Sequence, residues 1–111
     1  MKNYVQPGNT VTLPAPYAVA SGDGLLVGSI FGVASGDVAL NDPVEAVLSG
    51  VFDLTKAGSQ AWTAGAKVYW DDTNKRTTSV ATSNTLIGVA TEAVAGGAGD
   101  TVGRVRLNAA F

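Results

Sequence analysis

The chain has 111 residues, a net charge of −2, and neither histidine nor cysteine. Histidine is the usual proton-transfer residue near neutral pH, and cysteine and histidine dominate nucleophile and soft-metal sites, so their absence argues against an enzyme. The negative charge and the lack of a basic stripe argue against a nucleic-acid partner, because phosphate binding needs clustered lysine and arginine.

The composition predicts a protein with large contact surfaces. Hydrophobic residues make up 46% of the chain and charged residues only 14%, so we expect much of the surface to meet other protein. The length fits one domain, and we predict an N-terminal arm over residues 1–8 and a single β-rich domain over residues 9–111. No apolar stretch is long enough to span a bilayer, so we expect no membrane partner.

The first half of the chain alternates with the period of a β-strand. Residues 10–13 alternate, and the prolines that follow stop strand pairing because proline lacks the N–H donor. Residues 25–34 are apolar on both faces, which predicts a central strand or one covered by a neighbouring subunit. In residues 44–54 the even positions are apolar, and Gly50 predicts a strong twist or two strands meeting there.

The second half continues the pattern. Residues 66–70 and 76–80 flank a turn and predict a hairpin, and residues 85–94 and 101–107 predict two further strands, the last with its odd positions facing inward. We therefore predict an all-β fold, a small single-domain β-barrel or β-sandwich with at most one short helical turn near residues 58–64.

No motif in the chain predicts catalysis, a cofactor or a metal. None of the lysines is followed by the serine or threonine that a phosphate-binding P-loop requires. Asp71 and Asp72 could bind calcium together with Asn74, but the spacing of a calcium loop is missing, and capping of a hairpin turn is the favoured interpretation. No two of the nine acids stand out as a hydrolytic pair.

Three aromatic residues permit two interpretations. Trp62, Tyr69 and Trp70 could form a platform for sugars, or Trp70 could fill the core with Val68 while Tyr69 lies on the outer face. We favour the core for Trp70. Trp62 is the better candidate for an interface, because aromatic anchors are enriched at binding hot spots.

With these residues in view, the chain resembles the capsid cement (head decoration) proteins of tailed phages, a family sometimes labelled recombinase. The lack of a P-loop argues against that label. The resemblance covers essentially the whole chain, and it rests on the order and spacing of five short segments: KNYVQPG at 2–8, PYAVASG at 16–22, VYWDD at 68–72, IGVAT at 87–91 and VRLN at 105–108.

The resemblance implies a small β-rich protein on the outer capsid surface of the virion, made in the host cytoplasm and bound to the major capsid protein. It also suggests a homo-oligomer, with a trimer favoured by analogy with the lambda decoration protein. It implies no catalytic residues. The main rival is a carbohydrate-binding or host-attachment module displayed on the virion, and a second rival is a tail or head-completion component.

Two hypotheses about contact residues follow. An extended N-terminal arm can add a strand to the edge of a capsid subunit's sheet, which predicts capsid contacts at Lys2, Asn3, Tyr4, Val5 and Gln6. An apolar outer face or an exposed aromatic can join two copies of the chain, which predicts subunit contacts at Leu26, Ile30 and Trp62.

Overall fold

Nine antiparallel strands form two sheets in this computed structural model, which describes residues 9–108. The strands are β1 (Thr10–Pro14), β2 (Gly24–Val27), β3 (Ile30–Ala34), β4 (Pro43–Val47), β5 (Ser49–Thr55), β6 (Lys67–Asp71), β7 (Arg76–Thr78), β8 (Thr85–Ala90) and β9 (Val102–Asn108). Four strands form one sheet in the order β1-β4-β3-β2, and five form the other in the order β5-β9-β8-β6-β7. The all-β prediction is confirmed.

The described residues contain no helix, and so none that could span a membrane. The segment 58–64, where a helical turn was allowed for, instead consists of two tight turns around an isolated antiparallel bridge between Trp62 and Val94.

The prediction of one strand over residues 25–34 is wrong, because this stretch is a tight hairpin of β2 and β3. Val27 pairs with Ile30, which leaves Gly28 and Ser29 as a two-residue turn. The φ angle of Gly28 is 59°, the positive value that the first position of a type II′ hairpin turn requires and that glycine adopts without strain. Both faces of the hairpin are covered within the chain itself, which explains its two-sided apolarity.

The chain passes from one sheet to the other between β4 and β5. Leu48 separates the two strands, and Gly50 has a φ angle of 120°. This agrees with the prediction that two strands meet near Gly50. Even positions remain turned inward on both sides of the junction, with Val44 and Leu54 buried.

The five-stranded sheet curls until its last strand touches its first. Lys56 and Thr77 form a parallel bridge beyond the end of β5. The Thr77 hydroxyl donates to the Thr55 carbonyl at 2.8 Å, and the Ala57 amide donates to the Thr77 carbonyl at 2.8 Å. This closure protects edges that would otherwise be open to pairing with another chain.

Two apolar clusters fill the fold. The larger lies inside the curled sheet and is built around Trp62, Trp70, Val68, Ile87, Val105 and Leu107. Phe31 and Val33 of β3 also pack in it, so the first sheet covers the open side of the second. The smaller cluster lies on the opposite face of the four-stranded sheet, where Ala15 and Val19 pack against Leu25 and Val44.

Candidate functional site

Asp71 and Asp72, at the end of β6, form a turn with the residues that follow them. The Asp71 carboxylate accepts the backbone N–H groups of Thr73 at 3.1 Å and Asn74 at 3.3 Å, and the Asn74 side-chain amide at 2.8 Å. These bonds, the Asn74 side chain first, lower the pKa of Asp71. Over residues 9–108 no three acidic side chains come together in a way that could hold a metal ion. The capping interpretation is confirmed.

Asp72 connects this turn to the first half of the chain. Its carboxylate accepts the Trp70 indole N–H at 3.0 Å and the Lys75 ammonium at 3.0 Å. The same Lys75 ammonium lies 4.2 Å from the centre of the Tyr17 ring, a cation–π distance. Asp72, through Lys75, therefore holds the β6–β7 hairpin against the segment before β2.

Tyr17, whose ring contacts the Lys75 ammonium, is held in place by a hydrogen bond of its own. Its hydroxyl donates to the Gly24 carbonyl at 2.6 Å. Burial, followed by the negative charges of Asp72 and Asp23, raises the pKa of Tyr17 to about 12. A cavity of about 100 Å³ lies beside the ring, and among the described residues Asp23 is the one carboxylate that lines it.

Of the three aromatic residues considered for a sugar platform, two are interior. Trp70 is 2% exposed, and its ring centre lies 5.0 Å from that of Phe31. Tyr69 is half-buried. The core interpretation of Trp70 is thus confirmed. Because Trp62 is also only 2% exposed, the three residues do not form an exposed platform for sugars.

The predicted contact residues fall in three different places. Residues Lys2, Asn3, Tyr4, Val5 and Gln6 lie outside the described residues. Leu26 and Ile30 are half-buried on opposite faces of the β2–β3 hairpin, Leu26 against the larger cluster and Ile30 against the smaller one. Trp62 lies within the larger cluster of its own chain, away from solvent. The structure therefore does not bring Leu26, Ile30 and Trp62 together on one surface.

The outer face of the five-stranded sheet carries an apolar surface that the sequence interpretation did not single out. Val51 and Leu86 are 52% and 42% exposed there. Beside them runs a groove of about 180 Å³, here called the β8–β9 groove, lined mainly by Lys67, Leu86, Val89, Arg106 and Leu107. The outward parity of residues 102–106 was predicted, but the groove depends on the lateral order of β6, β8 and β9, which one sequence does not give.

A second exposed apolar group lies in the first half of the chain. Leu40 is 55% exposed in the turn before β4. Two bonds fix this turn: the Asn41 amide donates to the Ala15 carbonyl at 2.9 Å, and the Asp42 amide donates to the Ala39 carbonyl at 3.1 Å. Asn41 has a φ angle of 70°, a conformation that asparagine tolerates better than most residues. Leu40 is therefore held outward by a defined turn.

Comparison with known proteins identifies the family of this chain. No curated protein and no solved structure matches it. A family model described as phage cement protein matches residues 5–107, which is nearly the whole of the 111-residue chain. The resemblance found in the sequence is thereby confirmed, and the chain belongs to the phage cement protein family, whose members are structural proteins of the bacteriophage capsid.

Proposed function

We propose that the protein binds the outer surface of the phage head and stabilises contacts between neighbouring subunits of the major capsid protein. The observation that carries this proposal is the family match over residues 5–107. The surface is compatible with it, because Leu40, Val51 and Leu86 are large apolar side chains that remain exposed for a partner to cover.

The mechanism is mechanical. Packed DNA pushes outward and pulls neighbouring capsid subunits apart. A protein that bridges two subunits adds contact area across the joint. If it is a symmetric oligomer, a trimer being our preferred state, its weak contacts are multiplied by effective concentration.

The N-terminal arm supplies one part of the capsid contact in this proposal. The described chain begins beside the junction of the two sheets, where the Leu48 amide donates to the Asn9 carbonyl at 2.8 Å. It then continues as β1, an edge strand of its sheet. Pairing with a sheet edge of another protein is a common way for a segment beside an edge strand to bind. Lys2, Asn3, Tyr4, Val5 and Gln6 are the residues we expect to pair.

Leu26 and Ile30 remain candidates for contact between copies, because both keep part of their surface exposed. Trp62 is left out of the proposed interface, because its side chain is occupied in the core. We further propose synthesis in the host cytoplasm, followed by attachment to the outside of the assembled head.

The test is to mix the purified protein with undecorated heads of its phage, both expanded and unexpanded, and to measure co-sedimentation. We expect saturable binding to expanded heads, and weaker binding by a protein lacking residues 1–6. Absence of binding to heads in either state would contradict the proposal. Binding to glycans without binding to heads would favour an attachment module instead.

A further inference from the structure

The charges of the chain are divided unevenly between its two halves. Residues 9–48 contain four acids and no lysine or arginine, and the acids are Asp23, Asp37, Asp42 and Glu45. Asp23 and Asp37 accept backbone N–H groups in turns, at 3.0 and 2.8 Å. Asp42 and Glu45 are exposed and form no ion pair with any described residue.

The second half of the described chain has a small surplus of positive charge. Lys75, Arg76 and Arg104 each face a carboxylate. Lys56 is buried and donates to two backbone carbonyls. Across residues 9–108 this leaves Lys67 and Arg106 as the exposed cations without an ion-pair partner.

These two cations lie on either side of the β8–β9 groove. Val89 pairs with Lys67 on one side and with Arg106 on the other, so the three residues form one row across three strands. Adjacent strands are about 4.8 Å apart, so the two cationic residues are separated by about 10 Å at the backbone. Their long side chains can both reach a carboxylate held above Val89.

The Leu40 turn is chemically complementary to the groove, because it offers an apolar side chain with two acids close by in sequence. The outward apolar side chains that line the groove are Leu86 and Val89, and its volume is about 180 Å³. A cavity of about 150 Å³ already accommodates a benzene-sized group, so one leucine side chain fits. Leu40 is exposed on a fixed turn, and Asp42 and Glu45 follow it within five residues.

We propose that the β8–β9 groove receives the Leu40 turn of a second copy of this chain, with Asp42 and Glu45 of that copy facing Lys67 and Arg106. Two different surfaces meet in this contact, so it repeats from copy to copy and closes into a ring when the rotation allows. The inference deepens the proposed function, since it assigns residues to the oligomer that would sit on the head.

Sedimentation velocity on the full chain tests this contact directly. We expect the wild type to sediment as an oligomer, and Leu40→Ala to raise the dissociation constant about tenfold or more. Val80→Ala is the matched control, because Val80 is 49% exposed but lies outside both surfaces, and it should leave association unchanged. Thermal melting of each variant checks that it is folded.

A charge exchange separates this contact from other causes of self-association. Lys67→Glu with Arg106→Glu should weaken association, and so should Asp42→Lys with Glu45→Lys. All four substitutions in one chain restore the complementarity and should restore the oligomer. A wild type that stays monomeric, or a fourfold variant no better associated than either pair, would overturn the proposal.

Head binding distinguishes the alternatives. If Lys67→Glu with Arg106→Glu leaves the oligomer intact but abolishes binding to expanded heads, the occupant of the groove is the capsid protein and the inference is wrong. If the wild type forms the predicted oligomer through these residues but binds no heads, the contact stands and the proposed function fails.

Discussion

The ammonium group of Lys56 lies 5.6 Å from the centre of the ring of Trp62, a residue of the larger cluster. Both side chains are almost completely buried, at 1% and 2% exposure. The ammonium donates to the Ala57 carbonyl at 2.9 Å and the Asp100 carbonyl at 3.1 Å. A buried cation satisfied by carbonyls and an aromatic face ties the loop before β9 to the end of β5.

Replacing Lys56 by alanine should destabilise the fold by about 2–4 kcal/mol, because the packed aliphatic stem and both hydrogen bonds are lost together. Lys56→Met keeps most of the stem packing and should cost less, although two carbonyls lose their donor. Urea unfolding of both variants measures the difference. Equal stability of Lys56→Ala and the wild type would show that the buried ammonium contributes nothing.

The close approach of β9 to Trp62 predicts an intolerant glycine. A Cβ atom added at Gly103 would lie 2.2 Å from the Trp62 ring, whereas one added at Gly36 would meet no atom within 4 Å. We expect Gly103→Ala to lower the free energy of unfolding by about 1–3 kcal/mol or more, because a filled core cannot accept the extra methyl group. Gly36→Ala serves as the matched control and should be close to neutral in the same urea titration.

The sequence predicted much of the fold, because alternation reports directly which side of a strand is buried. The inward residues of β9 are Gly103, Val105 and Leu107, as the parity of residues 101–107 indicated. The β6–β7 hairpin and its Asp71 turn were also predicted, since their residues carry strong local preferences.

Residues 25–34 show where alternation fails. The Gly28–Ser29 turn occupies only two positions, and a hydrophobic pattern continues across it, so the stretch has the pattern of one strand when it is two. Both faces are apolar because loops of the same chain cover one of them, and that coverage depends on contacts distant in sequence.

The placement of Trp62 could not be predicted for a similar reason. The indole is accommodated by Gly103, about forty residues later, and a single sequence does not reveal that pairing. The β8–β9 groove is likewise assembled from separate strands. Local propensity identifies strands and turns, whereas a surface such as this groove depends on which strands lie side by side in the sheet.

Tyr17 should make the protein sensitive to alkaline pH. Its pKa is raised from an ordinary 10.0 to about 12 in the folded state, first by burial. Below pH 10 its contribution to stability is complete. Between pH 10 and 12 the unfolded chain binds fewer protons than the folded one, so that contribution is lost as the pH rises.

Tyr17→Phe removes this effect together with the hydrogen bond to Gly24. We expect the variant to be less stable at pH 8, and its urea midpoint to fall less steeply than that of the wild type between pH 10 and 11.5. Midpoints that fall in parallel would contradict the assignment of the alkaline loss to Tyr17.

Asp71, in the turn at the end of β6, should make the protein less stable at acidic pH, whereas Tyr17 acts at alkaline pH. The pKa of Asp71 is lowered, chiefly by the Asn74 side chain, so its stabilisation is present above the ordinary value of 3.8 and disappears as the pH falls through the lower folded value. Asp71→Asn keeps an oxygen acceptor for the turn but removes the charge. Thermal melts should place it below the wild type at pH 7, with the gap closing as the pH falls through the lowered folded pKa of Asp71. A gap independent of pH would contradict this account.

The resistance of the filled phage head to heat is the property that a cementing protein must raise. DNA release from filled, undecorated heads is followed by dye fluorescence during heating, with and without saturating protein. We expect release at a clearly higher temperature with the protein present, and at an intermediate temperature with the Leu40→Ala variant. Identical release temperatures with and without bound protein would contradict a cementing role.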